Sequence, residues 1–186
     1  MDDISHGRRQ DPRTDEELVL AVNGGREEAF DALYYRYRDW VARLAHRFTG
    51  NRDDALDVLQ ETFAYLAGKF PGFRLTARMT SFLYPVVRHL SMNVTRRRSP
   101  AVGTDGLPEL AARADDPPAG RAELAAVLRG LSEPKREVVL MRFVDDMSLA
   151  EIADALDVPL GTVKSRLHGA LADLRADPRT RDYFGA

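Results

Sequence analysis

Residues 148–175 read SLAEIADALDVPLGTVKSRLHGALADLR, and two apolar stripes at helical spacing run through them. Leu149, Ile152, Ala153 and Leu156 fall on one face of a first helix, and Leu160, Val163, Leu167, Leu171 and Leu174 on one face of a second. Ser148 with Glu151 has the spacing of a capping box, and Met147 with Ile152 that of a hydrophobic staple. Between the stripes, Asp157 can take the left-handed conformation of a tight turn, and Pro159 is tolerated where a first-turn amide has no intrahelical partner. Two short helices joined this way make a helix-turn-helix, whose second helix can enter a DNA major groove. Off the apolar stripe, that helix carries Thr162, Lys164, Ser165, Arg166 and His168, donors suited to phosphates and base edges. The alternative is a plain helical hairpin with a solvated outer face.

Upstream, the same periodicity predicts helices almost throughout, hence an all-α fold. Thr14 and Glu17 form a second capping-box pair ahead of Leu18, Val19, Val22, Phe30, Leu33 and Tyr37, with Asn23-Gly24-Gly25 dividing two helices. A third helical pattern runs from about Arg52 to Lys69, Phe70-Pro71-Gly72-Phe73 marks a loop, and a fourth pattern runs from near Thr80 to Arg96-Arg97-Arg98. Pro85 lies inside that fourth pattern, either kinking the helix or marking its true first turn. Residues 99–120 are punctuated by proline and glycine and read as a flexible linker able to span about 70–80 Å at ~3.3–3.6 Å per residue. The other reading is a long loop within one domain. Beyond it, Ser132 and Pro134 open a helix containing Val138, Val139, Met141 and Phe143, which Asp145-Asp146 ends. The expected organisation is two small helical domains, 15–98 and 121–176, joined by a linker.

Composition narrows the function. Of 186 residues, 44% are hydrophobic and 30% charged, within the range of folded globular chains. There is no cysteine, and His6, His46, His89 and His168 are widely separated, so neither a thiolate metal site nor a thiol nucleophile is expected. No phosphate-cradling glycine-rich motif occurs, and no cofactor is expected. No apolar run reaches the ~18 residues of a membrane span, and the polar start, Met1 to Arg13, does not read as a signal peptide, so a cytoplasmic protein without membrane insertion is expected. A net charge of −2 argues against bulk coating of nucleic acid. Local charge is segregated instead: Asp53, Asp54, Asp57 and Glu61 form an acidic run and Arg96 to Arg98 a basic one, which suggests different partners for different faces.

Leu160 to His168, preceded by Ser148 to Ala153, resembles the promoter-reading C-terminal domain of extracytoplasmic-function (ECF) sigma factors. Asp57-Val58-Leu59-Gln60-Glu61-Thr62-Phe63 resembles the signature of the same family's N-terminal domain. The resemblance implies a non-enzymatic transcription initiation factor whose partners are bacterial core RNA polymerase, promoter DNA and an anti-sigma factor. On this reading Asp54, Asp57, Gln60 and Glu61 dock on the polymerase clamp helices; Asp57 and Glu61 stand one helical turn apart with Gln60 beside them, a polar face suited to a basic partner, while Val58, Leu59, Thr62 and Phe63 pack inward. Ser81-Phe82-Leu83-Tyr84 and the residues after it resemble the segment that melts and reads the −10 element. The implied −10 contacts are Phe73, Ser81, Phe82, Arg88, Asn93, Arg96, Arg97 and Arg98, with aromatics to accept unstacked bases and cations to hold the backbone. The −35 contacts are Thr162, Lys164, Ser165, Arg166 and His168, and Asp105, Glu109, Asp115 and Asp116 suit a linker passing through basic surroundings. The chain departs from the family pattern at Phe82, where many members have tryptophan, at Pro85, where a basic residue is common, and at Gly169, Ala170, Ala172 and Asp173, which replace a basic stretch. A stand-alone DNA-binding regulator would use only the C-terminal half. An enzyme would have to draw its acid and base from a pair such as Asp53 and Asp57, with no nucleophile motif beside them.

Overall fold

The computed structural model describes residues 11–98 and 119–180. The expected linker, apart from its last two residues, the first ten residues and the last six, among them Tyr183 and Phe184, lie outside the described residues. Eight helices follow in order: α1 (Asp15–Asn23), α2 (Glu27–Thr49), α3 (Arg52–Ala67), α4 (Met79–Arg98), α5 (Ala119–Gly130), α6 (Glu133–Phe143), α7 (Leu149–Leu156) and α8 (Leu160–Ala176). A short 3₁₀ turn, Pro178–Thr180, follows, and no strand occurs among the described residues.

Local chemistry sets most of the boundaries. Both capping boxes form: Thr14 accepts from the Glu17 amide at 3.2 Å while its own amide donates to Glu17 at 2.7 Å, and Ser148 and Glu151 repeat the arrangement at 3.2 and 2.8 Å. Such a cap contributes about 1 kcal/mol. Met147 and Ile152 are fully buried in one apolar cluster, as a staple requires. Gly50, in the left-handed region at φ 64°, ends α2, and the Asn51 side chain then accepts from the Asp53 and Asp54 amides to start α3. Asp157 is also left-handed, at φ 52°, making the tight turn between α7 and α8. Pro85 sits inside α4, six residues past its start, and the helix continues through it.

In the N-terminal half, α2 packs against α1, α3 and α4, and α3 against α4. Leu18, Leu33, Val41, Leu44, Phe48, Val58, Leu66, Met79, Leu83 and Val87 are almost completely buried there. In the C-terminal half, α8 packs on α6 and α7, and a small cluster of Val127, Leu128, Leu131, Val139, Leu140, Ala170 and Leu174 holds α5, α6 and α8 together. The two halves are also in contact. Helix α7 lies on α4, and the main apolar cluster runs from Met79 and Leu83 into Val138, Met141, Met147, Ile152 and Val163. Two residues expected on apolar faces are on the surface instead. Phe143 is exposed because α6 ends at it, and Leu160 is exposed because it occupies the first turn of α8, ahead of the buried Val163.

Candidate nucleic-acid interface

Buried Val163, Ala170 and Leu174 fix the inner face of α8 and thereby turn its other side outward. Lys164, Ser165 and His168 are exposed and Thr162 and Arg166 half-buried, so all five expected groups share the N-terminal half of one helix. The Ser165 hydroxyl donates to the Thr162 carbonyl at 3.0 Å, and neither Lys164 nor Arg166 has an ion-pair partner among the described residues. Further along α8, Gly169 has a structural reason. A Cβ there would stand 3.0 Å from Lys135 Cε, and the lysine crosses this gap to pair with Asp173 at 2.7 Å. Two of the departures from a basic stretch therefore fasten α6 to α8.

On α3, Val58, Leu59, Thr62 and Phe63 are buried, which leaves Asp57, Gln60 and Glu61 exposed and Asp54 half-buried. The expectation that the acidic and basic runs occupy different faces is corrected here. Because α4 packs along α3, Val94, Arg97 and Arg98 line one groove with Asp54, Asp57, Gln60 and Glu61, and Arg98 Nη1 lies 3.0 Å from Asp54 Oδ2. Arg96 is exposed beside them.

The 68–78 loop and α4 enclose a cleft of about 670 Å³ lined by Phe73, Phe82, Tyr65, Ser81, Pro85 and His89, among others. Asn23 positions the loop, donating to the Phe73 carbonyl at 2.8 Å and accepting from the Gly72 amide at 2.6 Å. Phe82 lies 4.8 Å from Phe73, tilted, and 6.3 Å from Tyr65 in a nearly parallel stack. Phe73 and Phe82 are half-buried rather than core residues, whereas Tyr84 is wholly core. Tyr65 was not anticipated. Its signal was an aromatic ring off the apolar stripe of α3, where Lys69 Nζ now sits 4.3 Å from the ring. Asn93 is half-buried and hydrogen-bonded to His89 at 3.0 Å, one turn away.

The remaining expected groups on α4 are turned toward the C-terminal half. Ser81 is buried and donates to the Glu151 carbonyl at 3.0 Å, and Thr80 donates to the Glu151 carboxylate at 2.9 Å. Tyr84 donates to Glu137 at 3.1 Å, and Arg88 stands 3.3 Å from Glu137 and 3.8 Å from Glu133. Burial pushes the Tyr84 phenol well above its usual range, with the Glu137 charge adding to the effect. Nearby, Arg47 lies 2.8 Å from Asp145, and the Trp40 indole donates to the Asp145 carbonyl at 3.2 Å. Burial raises the Asp145 carboxyl above its ordinary value, against the pull of Arg47.

No group of three or more His, Asp or Glu among the described residues could hold a metal ion, and none of their helices is long and apolar enough to cross a membrane. The described residues thus combine an aromatic cleft, a cationic face on α8 and a mixed-charge groove between α3 and α4, an arrangement suited to nucleic acid.

Comparison with known proteins agrees. Residues 33–100 match the Sigma-70 region 2 family and residues 121–174 the Sigma-70, region 4 family. The chain is 27% identical over 177 residues to the ECF RNA polymerase sigma factor SigW of Bacillus subtilis, covering 87% of this chain and 95% of the relative. It is 36% identical over 152 residues to the RNA polymerase sigma-E factor of Streptomyces coelicolor, covering 80% and 86%. Among solved structures, CnrH in complex with the cytosolic domain of CnrY is similar in fold, with a TM-score of 0.64 at 24% identity over 87% of this chain and 95% of that one. The chain belongs to the ECF RNA polymerase sigma factors. It is a transcription initiation factor in which region 2 occupies the N-terminal half and region 4 the helix-turn-helix half.

Proposed function

We propose that the chain docks on core RNA polymerase through the α3 face made by Asp54, Asp57, Gln60 and Glu61, reads and opens the −10 element with the aromatic cleft and α4, and reads the −35 element with α8. The observation that carries this is the inward packing of Val58, Leu59, Thr62 and Phe63, which leaves the polar residues of the family signature as one outward face on α3. Phe73, Phe82 and Tyr65 supply stacking surfaces for unstacked bases, each worth about 1–3 kcal/mol in single-strand binding. Arg96, Arg97 and Arg98 supply phosphate contacts, and Asn93 polar contacts beside them. On α8, Arg166 and Lys164 supply cations, and Thr162, Ser165 and His168 supply shorter polar contacts. Strand separation then draws on binding energy and base capture, so the chain does no bond chemistry and requires no cofactor. It acts in the cytoplasm, where its polymerase is. An anti-sigma protein is a further partner: the neighbours CnrH and the Bartonella quintana sigma factor RpoE were each solved in complex with another protein, an anti-sigma factor in the second case.

Co-elution of the purified chain with bacterial core polymerase on gel filtration tests the reading. Stoichiometric binding is expected, and the Asp57→Ala/Gln60→Ala double variant, which touches only exposed side chains, is expected to lose it. Unchanged binding by that variant would move the docking face elsewhere. No binding by the folded parent chain would leave a stand-alone DNA-binding regulator.

A further inference from the structure

Gly169 interrupts the polar row on the outer side of α8. It stands three residues after Arg166, four after Ser165 and seven after Thr162, so all four share one side of the helix. The space above it is taken by a side chain from another helix. Lys135, in the first turn of α6, reaches across so far that a Cβ at position 169 would stand 3.0 Å from its Cε and 3.2 Å from its Nζ. The ammonium therefore lies over the bare backbone of α8, one turn beyond Ser165 and Arg166. Between His168 and Arg175 the helix carries no cation of its own. Lys135 brings one there.

Two features separate this arrangement from a plain clip between helices. Lys135 Nζ donates to Asp173 at 2.7 Å, its one hydrogen-bond partner among the described residues. An ammonium carries three donors, so two remain for a phosphate oxygen. The pair is also partly in water, with the lysine side chain 32% and the aspartate side chain 50% exposed. Such a pair adds little stability, and a glycine inside a helix costs some relative to alanine. Fastening α6 to α8 thus does not account for the glycine. A lysine laid on the surface of α8 does, because any Cβ at 169 would displace the ammonium from it.

We propose that Lys135 belongs to the DNA-binding surface of the helix-turn-helix, as a phosphate-binding cation that α6 supplies at the glycine gap in α8. The proposal rests on the reading of α8 as the helix that meets duplex DNA. Lysine suits the task as a compact point charge on a flexible four-carbon stem. Its contact adds affinity for the DNA backbone and fixes orientation without reading sequence. Asp173 is a positioning residue here: it holds the ammonium through one donor while its own charge opposes the phosphate, so it both aims the contact and limits its strength.

The two members of the pair are expected to act in opposite directions on DNA binding, which a simple brace cannot do. Binding of the full chain to a labelled duplex of mixed sequence is followed by fluorescence anisotropy over a series of salt concentrations. Lys135→Ala is expected to lower affinity several-fold, equally on two duplexes of unrelated sequence, and to make the dependence of log K on log salt shallower by about 1. Should the alanine variant lose helicity, Lys135→Gln, which keeps most of the stem, gives the same readout. Asp173→Ala is expected to raise affinity, since it frees the ammonium and removes a negative charge. Lys135→Ala/Gly169→Lys returns the charge to the same place from α8 itself and is expected to recover the slope. Arg38→Ala, which removes an exposed charge on α2, is expected to leave it unchanged. A slope unaltered by the loss of Lys135 overturns the proposal. So does an Asp173→Ala variant, folded by circular dichroism, that weakens binding as much as Lys135→Ala, because the pair is then only a brace. In both cases Arg166→Ala still weakens duplex binding and the reading of α8 stands. A parent chain that binds no duplex, or binds it no better than Arg166→Ala, sinks that reading and this proposal with it.

Discussion

The two helices assigned to promoter reading are in opposite conditions. Along α8, Lys164 and Arg166 have no ion-pair partner among the described residues, and the helix is braced from behind by Val163, Ala170 and Leu174 and at its flank by the Lys135–Asp173 pair. Along α4, Arg88, Ser81 and Thr80 are engaged by Glu133, Glu137 and Glu151 of the same chain. On the proposed reading, one reader is presented and the other is engaged within the chain. The difference lies in the third dimension, because both helices carry the same types of group. On that reading the α8 groups can meet DNA as they stand, whereas the α4 groups must first leave their partners in the same chain.

The strongest challenge to this comparison is to ask whether the halves are one cooperative unit. Ile152 is fully buried in the apolar cluster that both halves share. Ile152→Ala is expected to cost about 2–5 kcal/mol and to lower a single unfolding transition followed by circular dichroism. Two separated transitions, with only one of them moved, would show that the seam contributes no cooperativity. A smaller effect separates the two arginines. Arg166→Ala should weaken duplex binding by the free chain by about 1–3 kcal/mol while sparing polymerase binding, as measured by fluorescence anisotropy. Arg88→Ala should change free-chain DNA binding much less, and show its loss only in the polymerase-bound complex. Equal losses for both in the free chain would place Arg88 on the open surface.

The smallest effect concerns acid. Partial burial pushes the Glu151 carboxyl up, but hydrogen bonds from Ser148 and Thr80 outweigh it and hold the group below its ordinary value of 4.5. A carboxylate with a lowered folded-state value stabilises the fold above that ordinary value and loses its contribution as pH falls through the lowered one. Comparison of the parent chain with Glu151→Gln should therefore show stability curves whose difference is full above about pH 4.5 and shrinks as pH falls through the lowered value. A constant offset down to strong acid would mean that the cap does not depend on charge.

What could be read from sequence and what could not divide along the same line. The capping boxes, the staple, the left-handed Asp157 and the inward set on α3 depend on residues within a few positions of each other, and local spacing determines them. The five α8 groups fall on one face for the same reason. Ser81 meets Glu151 across 70 positions, and Trp40 meets Asp145 across 105. No periodicity encodes such contacts. Arg97 and Arg98 share a groove with the acidic run only because α4 packs along α3, which is why segregated charge suggested separate faces. Pro85 left two readings open, since a proline removes one backbone donor wherever it falls, and only the surrounding packing decides whether the helix continues.

Trp40 is the single tryptophan of the chain, and its indole N–H ends at the Asp145 carbonyl on the far side of the seam. The molecule thus carries its own optical gauge at the place where its halves meet. An indole hydrogen-bonded between two packed helical units and the same indole in water emit at different wavelengths, so a plain emission spectrum, with no dye and no altered residue, reports whether that contact is kept.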